Sequence, residues 1–469
     1  MKYLSLFWVF ILFISCHTEN KNEANQVITI TGDIKNATKD EVYFLLDVIP
    51  EEYPMEEGKF QIKERFDHPI LCHVYLEQEE ISLHAVPGDS LHITFDAEDF
   101  ENTLQFSGDR AYENILLPDY AKLKQDIIGD RSELYALPEA TFLFKTDSIY
   151  EVMQANILAM GNDDELSPDY IKLLQLDARF DYAGMLNSYE NQHRRNSDNI
   201  SYNEGPKLVE AKSTLFQENP DALGSDKYRQ YLFNHYWDFL GNKTDRKYEG
   251  SFINDLENDV KELYSDPLIQ DFMTYAMLKW EIYLDGIDKN EDMINRYMET
   301  SKNEIYVSSL QKKVDEWLHL KKGMVAPDFE YPDIDSIGHA LSDFRGKYVY
   351  IDVWATWCRP CVAEHPALAE LEDKYHDNDN IIFMGVSTDS DRNAWEAMVR
   401  EKQLGGVQLI SDEGWPSDIN KDYNISGIPR FILVDMDGNL IDANAPRPSS
   451  KEMKTILKNL LEPSPVIGN

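Results

Sequence analysis

Two cysteines separated by two residues occur in Trp357-Cys358-Arg359-Pro360-Cys361, at the end of an apolar run. That spacing puts the thiols one helical turn apart, where they can close a small disulfide or reopen to a dithiol. A thiol at a helix N-terminus also has its thiolate stabilised by the backbone dipole. Reversible disulfide exchange is the chemistry these residues suit: Cys358, nearer the helix start and solvent, attacks, and Cys361, one turn further in, resolves the mixed disulfide. Pro360 is tolerated because the first helical turn has no internal partner for its missing N–H. Arg359 places a positive charge beside both sulfurs, which favours thiolate and shifts the potential towards oxidising relative to a neutral dipeptide. Cys361 is the deeper thiol, so a nearby group must take its proton before it attacks. Two carboxylates compete for that role, Asp352 and Glu364, the latter three residues beyond Cys361 on the same helical face.

These residues need an α/β framework to hold them. From Gly323 onward the chain has that texture: a strand over 348–354 runs into the cysteines and a helix follows them. Strands over 381–386, 407–410 and 431–434 alternate with helical stretches at 393–402 and 450–461. Asp435-Met436-Asp437-Gly438 then turns a hairpin into 439–441.

The ordered motifs of this region are Ala326-Pro327-Asp328-Phe329, Phe344-Arg345-Gly346-Lys347, Ile351-Asp352-Val353-Trp354-Ala355-Thr356-Trp357-Cys358-Arg359-Pro360-Cys361, Glu364 with Pro366, and Gly427-Ile428-Pro429. Together they resemble the thioredoxin superfamily and, within it, the exported TlpA/ResA-like thiol-disulfide oxidoreductases (redoxin-like domains). The resemblance covers about residues 323–463 and implies a thioredoxin fold whose cofactor is its own Cys358–Cys361 disulfide. It also implies that Asp352 is the buried aspartate beneath the resolving cysteine, and of the two competing carboxylates it favours Glu364 as the residue characteristic of the subgroup. Pro429 matches the superfamily's cis-proline, so Trp357, Ile428 and Pro429 would line the path of an extended substrate strand. The reducing direction is likewise implied, with electrons from a membrane partner, as in cytochrome maturation or repair of exported thiols.

Other chemistries fit less well. Cys358, Cys361 and His365 offer three soft ligands, but no second cysteine pair completes a closed metal set and Pro429 would crowd an ion. Val362 stands where haem attachment needs histidine. Ala355 stands where a peroxiredoxin has threonine. The competing non-enzyme reading is a ligand-binding lipoprotein whose thioredoxin-like domain is a redox sensor or structural module. The intact dithiol with both carboxylates and the proline argues against it.

The rest of the 469 residues divides by texture. Lys2, the apolar run 3–14 and Ser15-Cys16 form a targeting segment too short to span a bilayer permanently. The segment 1–16 resembles a lipoprotein signal, in which Cys16 becomes the lipidated first residue. Phe13 departs from the usual leucine, and a plain secretory peptide or an uncleaved anchor stays open. Residues 17–26 read as a polar tether. Short β-rich runs from Val27 to about Gly108 imply a small antiparallel sandwich (27–108), and 109–322 reads as helical, with stripes such as Tyr228, Tyr231, Leu232, Tyr236 and Leu240. The fold class expected is therefore multidomain α+β, with an α/β domain at 323–463. These N-terminal regions resemble those appended to lipoprotein members in Gram-negative bacteria. With 85 acidic against 45 basic residues, the formal charge of -40 repels nucleic acid and anionic lipid. Export places the four cysteines in an oxidising compartment, with extracytoplasmic protein thiols or disulfides as partners, and leaves Cys72 alone in a strand as a small buried hydrophobe.

Overall fold

The computed structural model describes residues 26–197, 199–215, 218–243, 255–411, 414, 415 and 417–462. The expected signal segment with Cys16, and the tether up to residue 25, lie outside the described residues. Two compact units result, one running to His235 and one from Tyr236. No helix among the described residues is long and apolar enough to cross a membrane.

In the first unit eight strands form one sheet: β1 (Val27–Lys35), β2 (Glu41–Leu45), β3 (Glu51–Glu56), β4 (Lys59–Arg65), β5 (Ile70–Leu76), β6 (Glu79–Ala85), β7 (Ser90–Asp96) and β8 (Gln105–Gly108). Their order is β6-β5-β2-β3-β4-β1-β7-β8. Pairing is antiparallel except between β1 and β7, which run parallel with Ile30 opposite Leu91. Inward residues from both halves of the sheet, among them Ile30, Val42, Phe44, Val74, Leu83, Leu91 and Phe95, join a single core. The period-2 alternation that buries them also fixes the register, because a one-residue slip would turn each of them outward. Cys72 is buried in this core, and burial pushes its thiol up to about 12, so it behaves as an apolar filler.

Helices follow: α1 (Ala111–Ile128), α2 (Arg131–Ala136), α3 (Glu139–Met160), α4 (Pro168–Asn196), α5 (Pro206–Leu215) and α6 (Asp226–Asn242), the division between units falling within α6. α4 starts at Ser167, whose hydroxyl accepts from Tyr170 N, with Pro168 in the first turn. Sheet and helices are pinned by buried polar contacts. His84 Nδ1 on β6 lies 2.6 Å from Glu113 Oε2 on α1. Ser167 N donates to Glu113 Oε1 at 2.8 Å, and Asn114 bonds both backbone groups of His84.

The second unit holds α7 (Leu256–Leu263), α8 (Pro267–Asp285), α9 (Glu291–Thr300) and α10 (Glu304–Trp317). A short hairpin, β9 (Glu330–Pro332) with β10 (Gly338–Ala340), precedes the main sheet. That sheet comprises β11 (Tyr348–Trp354), β12 (Ile381–Ser387), β13 (Val407–Ile410), β14 (Arg430–Val434) and β15 (Leu440–Asp442), in the order β13-β12-β11-β14-β15. β11, β12 and β13 run parallel, joined by α11 (Arg359–Lys374) and α12 (Arg392–Lys402); β14 and β15 are antiparallel. The short α13 (Asp418–Asp422) precedes β14, and α14 (Lys451–Leu461) closes the unit. β11 is central and buried on both faces, and apart from Asp352 its covered side chains are apolar or aromatic.

Glu113 is buried, and its contacts hold the carboxyl down at about 2 against the penalty of burial. A depressed acid stabilises the fold above its unfolded value, near 4.5, and that contribution disappears as pH falls through about 2. Glu113→Gln is expected to cost about 2 kcal/mol at pH 7 and progressively less towards pH 2, measured by urea unfolding at each pH.

Candidate functional site

Cys358 caps α11. Its backbone is extended (φ -83, ψ 93), and its Sγ accepts from Cys361 N at 3.2 Å. The two sulfurs are bonded to each other, with Cα atoms 5.3 Å apart. Cys358 is 4% exposed and Cys361 0%, so both sulfurs of the closed disulfide are buried. Trp357, 61% exposed, stands beside the pair, and Arg359 and Pro360 lie on the surface. The amide that donates to Cys358 Sγ is one of the free N–H groups of a helix's first turn, the group that stabilises a thiolate there once the disulfide opens.

The turn carrying the cysteines is anchored from below. Thr356 donates through its N–H (2.8 Å) and its hydroxyl (2.7 Å) to the two oxygens of Asp389, which also accepts from Ser387 Oγ at 2.7 Å. Thr388 N donates to Trp354 O at 2.9 Å. Asp389 was not singled out from sequence; its signal is the polar run Ser387-Thr388-Asp389-Ser390 at the end of an apolar strand, where ladder groups give way to side-chain partners. On another side the Ile428–Pro429 bond is cis, and Ile428 packs against the cluster that contains Cys358, Cys361, Trp354 and Trp395.

Strand alternation puts Tyr350, Asp352 and Trp354 on the same face of β11. Tyr350 packs with Leu368 and Leu371 of α11, and Trp354 with Cys361, so this face lies under α11 and Asp352 sits between them. Asp352 is 2% exposed, and its Oδ1 has no hydrogen-bond partner. Burial, then the charges of Glu364 and Glu372, push its carboxyl well above the usual range. His365, one turn beyond Cys361, stacks edge-on against Trp354 and brings Nε2 to 3.9 Å from Asp352 Oδ2. Burial lowers the imidazole's pKa, so it is neutral near pH 7. These groups line a cavity of about 210 Å³ with Glu372, Lys402 and Gln408. Burial raises Glu372 to about 7. Its carboxylate fills the space over Gly405, where a Cβ would meet Oε2 at 2.2 Å.

Glu364 turns elsewhere. Although buried, its oxygens accept from Ser449 N (3.1 Å) and Ser449 Oγ (3.0 Å), and Arg447 Nη1 lies 3.8 Å away. The two carboxylates thus differ: Glu364 is satisfied by the loop before α14, and Asp352 is buried with an idle oxygen.

Residues 321–461 match the family model described as Redoxin. The thioredoxin-like protein YneN of Bacillus subtilis is 30% identical over 136 residues, 29% of this chain and 78% of that protein. The chain belongs to the thioredoxin-like thiol-disulfide oxidoreductases. The thiol-disulfide oxidoreductase ResA of Bacillus thuringiensis subsp. konkukian is 29% identical over 138 residues, covering 29% of this chain and 78% of its own. A crystal structure assigned as a thiol-disulfide oxidoreductase from Bacteroides vulgatus shares 39% identity, covers 31% of this chain and 99% of that one, and has a TM-score of 0.29.

In an oxidoreductase of this family a buried acid is a thermodynamic liability that carries a pH signature. An acid with a raised folded pKa holds its proton more tightly folded than unfolded, so stability is greatest below the unfolded value near 3.8 and falls as pH rises. Asp352→Asn removes the group that must stay neutral. In the disulfide form the variant is expected to unfold at higher urea than the wild type, by about 2 kcal/mol at pH 8, with the gain shrinking towards pH 4. A gain independent of pH would show that Asp352 is not held neutral by burial.

Proposed function

We propose that this chain is an exported oxidoreductase that reduces disulfides of extracytoplasmic proteins through Cys358 and Cys361. The observation that carries the reading is the cysteine pair at the N-terminus of α11, one sulfur capping the helix and the other buried, beside the cis Ile428–Pro429 bond. The Cys358 thiolate attacks a substrate disulfide, a new S–S bond forms, and one substrate thiolate leaves. Asp352, once it has released its own proton into the cavity it shares with His365 and Glu372, takes the proton of Cys361, and the Cys361 thiolate attacks Cys358 Sγ. The second substrate thiolate leaves, the Cys358–Cys361 disulfide closes, and two electrons have passed to the substrate.

Asp352 is favoured over Glu364 as the acceptor because it lies under α11 with an unused oxygen, whereas both Glu364 oxygens are engaged by Ser449. Glu364 acts on the reaction through charge, as one of the groups that raise Asp352. The cavity shared by Asp352, His365 and Glu372 gives the captured proton a way out: His365 is neutral and within 3.9 Å, and Glu372 titrates near 7. Trp357, which is exposed, with Ile428 and Pro429, which are half-buried, form the ledge along which an extended substrate strand would lie, as the family resemblance implies.

The remaining parts of the reading rest on sequence. Lys2, the apolar run and Ser15-Cys16 support export and lipid attachment at Cys16, and the net charge of -40 opposes binding to nucleic acid. A membrane-bound dithiol partner supplies the two electrons that reopen the disulfide.

Insulin reduction with dithiothreitol as electron source tests the cycle. The wild type is expected to turn over and Cys358→Ser to lose activity by at least about a hundredfold, since no attacking thiolate remains at the helix cap. Cys361→Ser should accumulate mixed disulfides in cells. Equal turnover by wild type and Cys358→Ser would sink the enzyme reading in favour of a binding protein with a redox module. A reduction potential near about -120 mV rather than towards about -270 mV would reverse the direction.

A further inference from the structure

The loop holding the cis bond is tied at both ends to helices that precede the thioredoxin-like domain. α8 stops at Gly286, whose φ of +81 ends the helix and whose Cα faces the Trp317 ring of α10 so closely that a Cβ would lie 2.7 Å from it. The last carbonyls of a helix have no internal donors, and its C-terminus carries partial negative charge. Ile282 O takes Gly286 N, leaving Tyr283 O and Leu284 O. Ser426 Oγ donates to Tyr283 O at 3.2 Å, and Arg430 Nη2 donates to Leu284 O at 2.5 Å. Residues 426 and 430 bracket Gly427-Ile428-Pro429. A second set of contacts lies just upstream, where Asn424 Nδ2 donates to Glu316 O of α10 at 3.0 Å and His319 Nε2 lies 3.1 Å from Asp422 O.

Arg430 is an unusual residue for its place. It stands on β14 immediately after the cis-proline and is 4% exposed, with Nη1 lacking a hydrogen-bond partner. The acidic groups that act on it, Asp285 and Asp442, do so at a distance. Burial lowers even this guanidinium to about 10. A strand position needing only stability would take an apolar side chain, since a buried charge with one direct acceptor is expensive to keep. What the charge does achieve is a directed bond from the strand beyond Pro429 to one carbonyl of α8.

We propose that Arg430, assisted by Ser426, is a positioning residue that fixes the Ile428–Pro429 ledge against the C-terminus of α8, so that the helical segment sets the enzyme's affinity for extended polypeptide disulfides. This inference rests on the oxidoreductase reading above. A polypeptide must lie along the ledge to deliver its disulfide to Cys358, whereas a small disulfide needs only access to the sulfur. Loosening the ledge therefore weakens binding of the first and spares the second.

The full chain is assayed with two probes, insulin and dithiobis(nitrobenzoate), using Arg430→Met, Arg430→Lys and Ser426→Ala. Losing a hydrogen bond from a charged donor should raise KM for insulin about tenfold in Arg430→Met, with kcat and the rate on the aryl disulfide within about twofold of wild type. Arg430→Lys, which keeps a cationic donor, restores most of the affinity. Ser426→Ala shifts KM the same way by about threefold, and it decides the matter if Arg430→Met fails to fold. An active wild type whose insulin KM is unmoved by Ser426→Ala and Arg430→Met, or variants that lose both probes equally, overturn the inference alone. A wild type inactive on both probes overturns the oxidoreductase reading and the inference with it.

Discussion

Burying one carboxyl under α11 constrains the rest of the thioredoxin-like unit. Asp352 lies on the central strand with Gly385 and Phe431 as its register partners, and a charge there would cost several kcal/mol. The surroundings keep it neutral in the oxidised protein. Tyr350 and Trp354 on the same strand face, and Leu368 and Leu371 above, exclude water from most of its surface. Gly385 is needed beside it because Gln408 reaches over that position, with its Oε1 2.4 Å from where a Cβ would be. The same environment suits Asp352 to receive a proton once it has given up its own, because a group that resists ionising is a strong base when ionised, and it lies on the strand face under the helix that carries Cys361.

Such a site works only if the sulfurs stay where the acid can serve them, and the loops around them are accordingly over-determined. Thr356 is held by Asp389, so the turn into Cys358 is fixed before α11 begins. Glu364 fixes α11 from its other side by taking both donors of Ser449, which ties the helix to the loop leading into α14. Each contact pairs a buried acceptor with a donor it would be costly to lose. The cavity beside Asp352 is lined by His365, which burial keeps neutral, and Glu372, which burial raises to about 7.

The sequence was most legible where periodicity and chemistry agreed. The five strands and the two long helices after the cysteines fall within a residue or two of the patterns read for them, because apolar runs bounded by turn residues have few alternatives. β3 was not legible: Glu51-Glu52-Tyr53-Pro54-Met55-Glu56 carries charges and a proline, and only pairing with β2 and β4 makes it a strand. The parallel pairing of β1 with β7 was equally hidden, since alternation specifies a face but not a partner. At the site, the cysteines and Pro429 could be read from motif order. The difference between Asp352 and Glu364 could not, because it depends on Ser449, eighty-five residues beyond Glu364, turning its donors towards one carboxylate and not the other.

Two helix ends meet the loops around the dithiol, and the second of them accounts for a guanidinium next to the cis-proline. The N-terminus of α11 presents free N–H groups to Cys358 and lowers the cost of its thiolate. The C-terminus of α8 turns its last carbonyls to the loop that carries Ile428, where Tyr283 O accepts from Ser426 Oγ and Leu284 O from Arg430 Nη2. An apolar residue at position 430 would avoid burying a charge but would leave Leu284 O without the donor it has here. A neutral donor would satisfy Leu284 O without complementing the partial negative charge of the helix end. Arginine does both, placing a positive charge and a hydrogen-bond donor at the helix end, and it stays charged even when its own burial lowers it to about 10. In a chain with a net charge of -40, that compensation has to be local, since the distant surface is acidic and screened by salt.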